Sequence, residues 1–408
     1  MTSSPQNNTI TPVQAQGPEA LRKLVQQAID TQTPIVDYGQ LHQRMGHTPP
    51  AHHFKLTQAT TDDNAILDHY DRDMTVRVNA AATLAQVQAQ LRATNQYVPI
   101  DADPDLTFCE IINANIYGPL RLSMGSMRDL LLGLQYIDGR GDDIQVGGRT
   151  VKNVAGLDVT RFMVGSLGEL GLLHQACMRT YAIPEHVLTV DLEVHDLLEL
   201  DACLTDWLLT DASPASLMLE RCEDKWCLRL AFHGKASACH SQMHSLQSMI
   251  EAGNCGMNIT GSASQRFEAD MAEHRDRRLW QRESNAVVKI IVPPASTGRV
   301  AQQLEKFNHE HGKLMVLALP AYGCIHAGGN FSAKQAVELD KTVNDLIGEL
   351  QGHRSWVARP AGSETSIEPF VPMPPALPLL VNLKKTMDPH HLFNPGRCLV
   401  QENPRRES

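Results

Sequence analysis

Positive charge is in short supply: Lys and Arg total 36 against 46 for Asp and Glu, leaving a net charge of -10. Such a balance repels a phosphate backbone, so nucleic acid is disfavoured as a partner unless a local basic patch overrides it. Close cysteine pairs are missing as well. The nine cysteines stand at irregular spacings with no CxxC, which argues against a disulfide framework and against an iron–sulfur cluster held by this chain, and fits reduced thiols in a cytoplasmic protein. No apolar run approaches the ~18 residues that cross a bilayer. The longest candidate, Leu314 to Ile325, is broken by Pro320, Tyr322 and Gly323. The opening MTSSPQNNTITPVQAQ has neither a basic start nor an apolar core, so a tail rather than a secretory signal is expected. GxSxG, P-loop and GxGxxG patterns are all absent, which disfavours a nucleophile elbow, a Walker cradle and a nicotinamide-binding Rossmann turn.

What is present is ordinary globular composition, 42% hydrophobic and 20% charged over 408 residues, enough for two or three domains. The first half mixes strands and helices around many glycines. Leu21, Leu24, Val25 and Ala28 repeat at helical spacing before a short strand, Ile35-Val36. Met74, Val76 and Val78 alternate as a strand. Thr83 is placed to cap a helix with Leu84, Val87 and Leu91 inward, followed by a strand over Tyr97–Ile100. Leu130–Ile137 and Ile144/Val146 read as two strands joined by the turn Asp138-Gly139-Arg140-Gly141.

The second half repeats itself. Strand Leu188–Val194, helix Leu197–Leu209, strands Leu217–Leu219 and Trp226–Phe232, and helix Ser237–Ala252 give the order β-α-β-β-α. A second pass runs Val287–Val292, Arg299–His309, Leu314–Leu319, Cys324–His326 and Ala333–Leu350, ending in a strand at Trp356-Val357. Two such units predict an antiparallel sheet with helices on one face, a ferredoxin-like α+β arrangement.

The densest glycine pattern is Gly165-Ser166-Leu167-Gly168-Glu169-Leu170-Gly171. Clustered glycines bring backbone close to a neighbour, either another chain segment or the phosphates of a ligand, because a Cβ would be in the way. Spacing alone leaves both open. The wider run Gly147–Gly171, with Lys152-Asn153-Val154-Ala155-Gly156-Leu157-Asp158 at its centre, closely resembles the FAD-binding subunits of glycolate oxidase, in the PCMH-type flavoprotein superfamily typified by vanillyl-alcohol oxidase. Pro119–Gly133, with Arg121, Gly125 and Arg128-Asp129, and the ending Met387-Asp388-Pro389 to Asn394-Pro395-Gly396-Arg397 are similar to two further stretches of that family.

The resemblance implies an α+β fold: a tail over 1–16, an FAD-binding domain of two α/β subdomains over 17–182, an α+β cap over 183–375, and a segment over 376–408 returning to the FAD domain. It implies FAD as cofactor, its pyrophosphate held by glycine-rich backbone. The cofactor residues it points to are Gly39, Thr107, Gly118, Gly125, Lys152, Asn153, Gly156, Asp158, Gly165, Ser166, Gly168 and Gly171, with Asp158 capping a helix that starts at Val159. It further implies oxidation of a 2-hydroxy acid such as glycolate, or electron relay, in a complex with a related flavin subunit and an iron–sulfur subunit, cytoplasmic or peripheral to a membrane through partners. Asp37, Cys109 and Glu110 stand where the family carries loop glycines. They leave open a second reading, a non-catalytic paralogue that keeps the fold as a scaffold without FAD.

Outside that resemblance, His47, His52, His53, His390 and His391 have no companion ligands at metal spacing, so no metal is expected. Cys222 and Cys227 flank a turn between two strands. His326, in Ile325-His326-Ala327-Gly328-Gly329, is the one candidate for substrate or proton handling.

Overall fold

A computed structural model describes residues 9–37, 50–148, 159–222, 224–252, 255–363 and 366–396. The chain divides into two compact units. One comprises the residues up to Ile116, Ser126–Ala182 and the chain from Pro374 on; the other comprises Tyr117–Gly125 and Ile183–Met373.

In the first unit, strand β1 (Ile10–Gln14) leads into helix α1 (Gly17–Thr31), whose first turn carries Pro18 and Glu19 and whose buried stripe is Leu21, Leu24, Val25 and Ala28. β2 (Ile35–Val36) and β3 (His53–Thr57) complete a parallel sheet in the order β1-β3-β2. Its core joins the α1 stripe to Ile35, Phe54, Leu56 and Phe393. β4 (Ile66–Tyr70) and β5 (Thr75–Asn79) begin a second layer, and Thr83 caps α2 (Leu84–Leu91) reciprocally with Gln86. β6 (Gln96–Tyr97) is shorter than the expected Tyr97–Ile100 strand, because Pro99 has no N–H for a ladder. There follow α3 (Phe108–Ala114), α4 (Arg121–Met124), which groups with the second unit, and α5 (Met127–Leu130). β7 (Leu131–Ile137), β8 (Asp143–Gly147), α6 (Val159–Met163), β9 (Leu172–Arg179) and β10 (Tyr181–Ala182) close the segment. The antiparallel sheet order is β4-β5-β9-β7-β8. Val76, Val78, Leu134, Tyr136, Ala176 and Met178 alternate onto its inner face, where they meet Leu84, Val87, Ile111 and Ile112.

The second unit is built on one nine-stranded antiparallel sheet. β11 (His186–Val194), α7 (Leu197–Leu208), β12 (Ser216–Cys222), β13 (Lys225–Gly234), α8 (Ala236–Ala252) and β14 (Met257–Gln265) form its first half. Short helices α9 (Phe267–Asp276) and α10 (Leu279–Glu283) link it to β15 (Ala286–Ile291), α11 (Thr297–His311), β16 (Met315–Leu319), β17 (Cys324–Gly329), α12 (Ala333–Leu350), β18 (His353–Ala358) and the short β19 (Phe370–Val371). The order β14-β11-β13-β12-β16-β17-β15-β18-β19 makes two mirrored ferredoxin-like halves. They join through β12 and β16, with Leu219 opposite Ala318 and Glu220 opposite Leu317.

One continuous core unites the sheet with α7, α8, α11 and α12. The other face carries a smaller cluster, Met218, Leu317, Leu319 and Cys324, against Tyr117, Trp280 and Tyr322. The expectation of helices on one face is thus corrected: α10 and the 117–125 segment cover part of the second. β14, α9 and α10 were not anticipated. β14 is an exposed edge strand of small and polar residues, without the apolar alternation that marks a half-buried strand. The chain ends its described course with α13 (Leu377–Met387), in the first unit.

Candidate functional site

The glycine-rich run Gly165–Gly171 follows α6 directly. Gly165 and Gly168 have φ of +82° and +72°, conformations that favour residues without a Cβ. Its amides are largely spent on the protein. Gly165 N–H donates to Ile112 O at 3.0 Å, Ser166 N–H to Met163 O at 3.2 Å and Leu167 N–H to Asn113 O at 2.9 Å. A Cβ on Gly168 would lie 2.5 Å from Asn394 Nδ2, and one on Gly171 would lie 2.6 Å from the Tyr136 ring and 2.9 Å from Ile137 O. The run therefore seats on the end of α3, on β7 and on the carboxyl-terminal segment. Hydrogen bonds and close packing within the chain thus engage Gly165, Ser166, Gly168 and Gly171, the residues expected to bring backbone close to a pyrophosphate.

Asn394 binds the early and late parts of the unit together. Its Oδ1 accepts from Asp37 N–H at 2.7 Å, and its Nδ2 donates to Leu167 O at 3.0 Å and to Asp37 O at 3.3 Å. The two acids at loop-glycine positions are engaged locally. Asp37 Oδ2 accepts from Gln58 Nε2 at 3.0 Å and from the Cys109 thiol at 3.8 Å. Glu110 closes a capping box on α3: Thr107 N–H and Oγ1 donate to Glu110 Oε2 at 2.8 and 2.9 Å, and Glu110 N–H donates to Thr107 Oγ1 at 3.2 Å. Thr107 is thus a helix cap. Gly118 and Gly125 fall in the segment that groups with the second unit, where Gly125 ends α4 at φ +84°. Gly39, Lys152, Asn153, Gly156 and Asp158 lie outside the described residues.

The outward face of the five-stranded sheet forms a groove of about 450 Å³, floored by Gly133, Gly147 and Gly148 and walled by Arg77, Gln145 and Gln175. Arg77 Nε and Gln175 Oε1 are buried without a hydrogen-bond partner, and the Arg77 guanidinium pairs with Asp68.

In the second unit, a neutral His326 proves to stand beside two cations, Lys289 and Arg121. Lys289 on β15 stands directly opposite His326 on β17. Lys289 Nζ lies 4.6 Å from the centre of the Tyr117 ring, and the Arg121 guanidinium lies 4.4 Å from Tyr117 and 4.7 Å from Tyr322, all within cation–π range. Tyr322 Oη donates to Arg121 O at 2.7 Å, and Tyr117 Oη is 3.4 Å from Cys324 Sγ. Met218, Leu317 and Leu319 supply an apolar floor. Burial, with the charges of Lys289 and Arg278, pushes His326 well below the usual imidazole range. Burial likewise lowers Lys289; the Cys324 thiol opposes that shift, and the charges of Arg121 and Arg278 add to it. Burial raises the Tyr117 phenol far above its ordinary value. No carboxylate contributes to the shifts of Lys289 or His326.

Such a cluster is costly for the protein alone and suits an anion. Sequence reading singled out His326 and missed Lys289. The signal was a lysine at a sheet-facing position of the otherwise apolar strand Ala286-Val287-Val288-Lys289-Ile290-Ile291. Among the described residues, no cluster of three or more His, Cys, Asp or Glu can hold a metal ion, and no helix is long and apolar enough to cross a membrane.

Comparison with known proteins bears on this arrangement. Residues 12–147 match the FAD binding domain family. Glycolate oxidase subunit GlcE of Escherichia coli K12 is 24% identical over 390 residues, covering 94% of this chain and 97% of that protein. The mitochondrial D-lactate dehydrogenase [cytochrome] of Arabidopsis thaliana is 20% identical, covering 93% of this chain and 72% of that one. Among solved structures, a glucooligosaccharide oxidase of Acremonium strictum that carries a novel flavinylation superposes with a TM-score of 0.70 at 12% identity over 96% of this chain and 91% of that one. Fold and sequence thus point the same way: residues 12–147 are similar to FAD binding domains, and the chain along its length is similar to glycolate oxidase subunit GlcE.

Proposed function

We propose that the chain is the FAD-binding subunit of an enzyme complex that oxidises a small 2-hydroxy acid, glycolate or D-lactate by chemistry, and passes the electrons to a partner iron–sulfur subunit. The observation that carries the substrate class is the pair of cations Lys289 and Arg121, set on an apolar floor beside a neutral His326, with no carboxylate among the groups shifting Lys289 and His326. A 2-hydroxy acid presents one carboxylate and one or two carbons, which matches two cations beside an apolar cluster better than a neutral sugar would.

The residues of the first unit support FAD as the cofactor. Asp37 and Glu110, which would oppose a pyrophosphate, have carboxylates engaged by Gln58, Cys109 and Thr107. The groove over the five-stranded sheet offers the glycine backbone of Gly133, Gly147 and Gly148 to a flat polar group. FAD when bound supplies the hydride acceptor. Lys289 and Arg121 attract and orient the carboxylate, and the phenol of Tyr117 stays protonated beside them. His326, kept neutral, is able to take the hydroxyl proton on a ring nitrogen.

The flavin content of the purified chain, alone and together with its partner subunits, tests this reading. A yellow preparation releasing close to one FAD per chain on denaturation is expected. A colourless, flavin-free protein in both preparations contradicts it and favours the scaffold paralogue.

A further inference from the structure

Three sulfur atoms meet beside the helical core of the second unit. Cys203 on α7 and Cys255, between α8 and β14, hold their Sγ atoms 2.6 Å apart. Met249 Sδ on α8 lies 3.0 Å from Cys203 Sγ and 3.2 Å from Cys255 Sγ. Both cysteines are free thiols, yet their separation is already close to the ~2.05 Å of a sulfur–sulfur bond, so a bridge requires only a small side-chain movement. A soft metal ion is a poorer fit, because sulfurs around one centre must stand well apart from each other. The two thiols also differ in access. Cys203 is partly exposed, whereas Cys255 is buried with 7% of its surface accessible. An accessible thiol beside a buried one is the arrangement in which the first meets a reagent and the second resolves the product.

The other close candidate, Cys222 with Cys227, is not opposed across its hairpin. The register places Cys222 opposite Lys225 and Cys227 opposite Glu220.

We infer that Cys203 and Cys255 form a reversible intramolecular disulfide by reaction with a low-molecular-weight disulfide such as oxidised glutathione. The Cys203 thiolate attacks one sulfur of the reagent, making a mixed disulfide and releasing one glutathione thiolate. The Cys255 thiolate then attacks the Cys203 sulfur and expels the second. Two protein thiols lose two protons and two electrons, and one reagent disulfide is reduced to two thiols. Burial, then the hydrogen bond and charge of Cys255, push the Cys203 thiol up to about 12. Thiolate is therefore scarce at neutral pH, and the exchange accelerates as pH rises toward that value. The bridge spans 52 positions of the chain, so it restricts the unfolded state and raises the unfolding temperature by several degrees.

The test uses the full chain, freed of reductant and incubated with oxidised glutathione at pH 7 and pH 9. Denaturing alkylation with N-ethylmaleimide and intact mass count the remaining thiols. The expected result is the loss of two of the nine alkylation sites, faster at pH 9, reversed by reductant, with peptide mapping joining Cys203 to Cys255. Cys255→Ser should accumulate a stable glutathione adduct at Cys203, and Cys203→Ser should form neither adduct nor bridge at this site. Retention of all nine thiols in the wild type at pH 9, or a bridge between other cysteines, overturns the inference. Neither result depends on whether flavin is bound.

Discussion

His326 and Lys289 stand opposite each other in neighbouring strands, and the Lys289 charge, added to burial, makes protonation of His326 harder. The unfolded chain frees His326 to titrate near its ordinary pKa of ~6.5, whereas the folded chain holds it well below that. The unfolded state therefore binds more protons once pH falls under ~6.5, and the stability that the neutral histidine permits is present above that pH and lost below it. Denaturant midpoints measured from pH 8 to pH 5 should fall more steeply for the wild type than for His326→Gln. Parallel curves would show that the histidine is not held neutral. Single residues were legible to unequal degrees. Thr83 announces its cap on α2, whereas Thr107, expected in a cofactor loop, caps α3 through Glu110 three places on. Glu110 by itself reads as an acid misplaced in a phosphate loop, and only the fold shows its carboxylate accepting from Thr107. Lys289 escaped notice since its partners, Tyr117 and His326, lie far away in sequence.

At the scale of elements, α13 is fixed by the most completely satisfied buried ion pair in the first unit. Lys384 Nζ donates to Asp388 Oδ2 at 2.7 Å, to Glu169 O at 2.6 Å and to Phe393 O at 2.8 Å. Asp388 in turn accepts from the amides of Leu392 and Phe393, both at 2.9 Å. Lys384 is 7% exposed and Asp388 is fully buried. Lys384→Met should leave Asp388 buried and unpaired, at a cost of about 3 to 5 kcal/mol in the unfolding free energy of the first unit. Chemical denaturation followed by tryptic digestion measures it, and a loss under about 1 kcal/mol would show that the helix is held by apolar packing alone. The regular elements of the second unit were the easiest to foresee. α12 spans Ala333–Leu350 as its apolar period predicts, with the Ser332–Gln335 box at its start. The short strands and the edge strand β14 were hidden, because tertiary pairing and not local pattern makes them strands.

The whole molecule combines a unit that holds the stretch similar to FAD binding domains and a unit built on a sheet whose two mirrored halves pair through β12 and β16. Its acidic balance of -10 gives no hint of the cationic group beside β15 and β17, because a net charge averages over the surface while binding depends on a few residues brought together by topology. The fold class and the repeat were readable from periodicity, and the resemblance to glycolate oxidase subunits from the motif around Gly165–Gly171. The proposed carboxylate site was not, since Arg121 and Lys289 belong to stretches of sequence that only the fold unites.

The carboxylate-recognition claim is tested most directly by anaerobic titration of the flavin-loaded protein with glycolate or D-lactate, comparing the wild type with Lys289→Met by bleaching of the visible flavin band. Equal flavin content with a rise of about 10- to 100-fold in the half-saturating concentration is predicted, the loss of one charge-assisted contact worth ~1.5 to 3 kcal/mol. An unchanged half-saturating concentration in the variant would contradict the account.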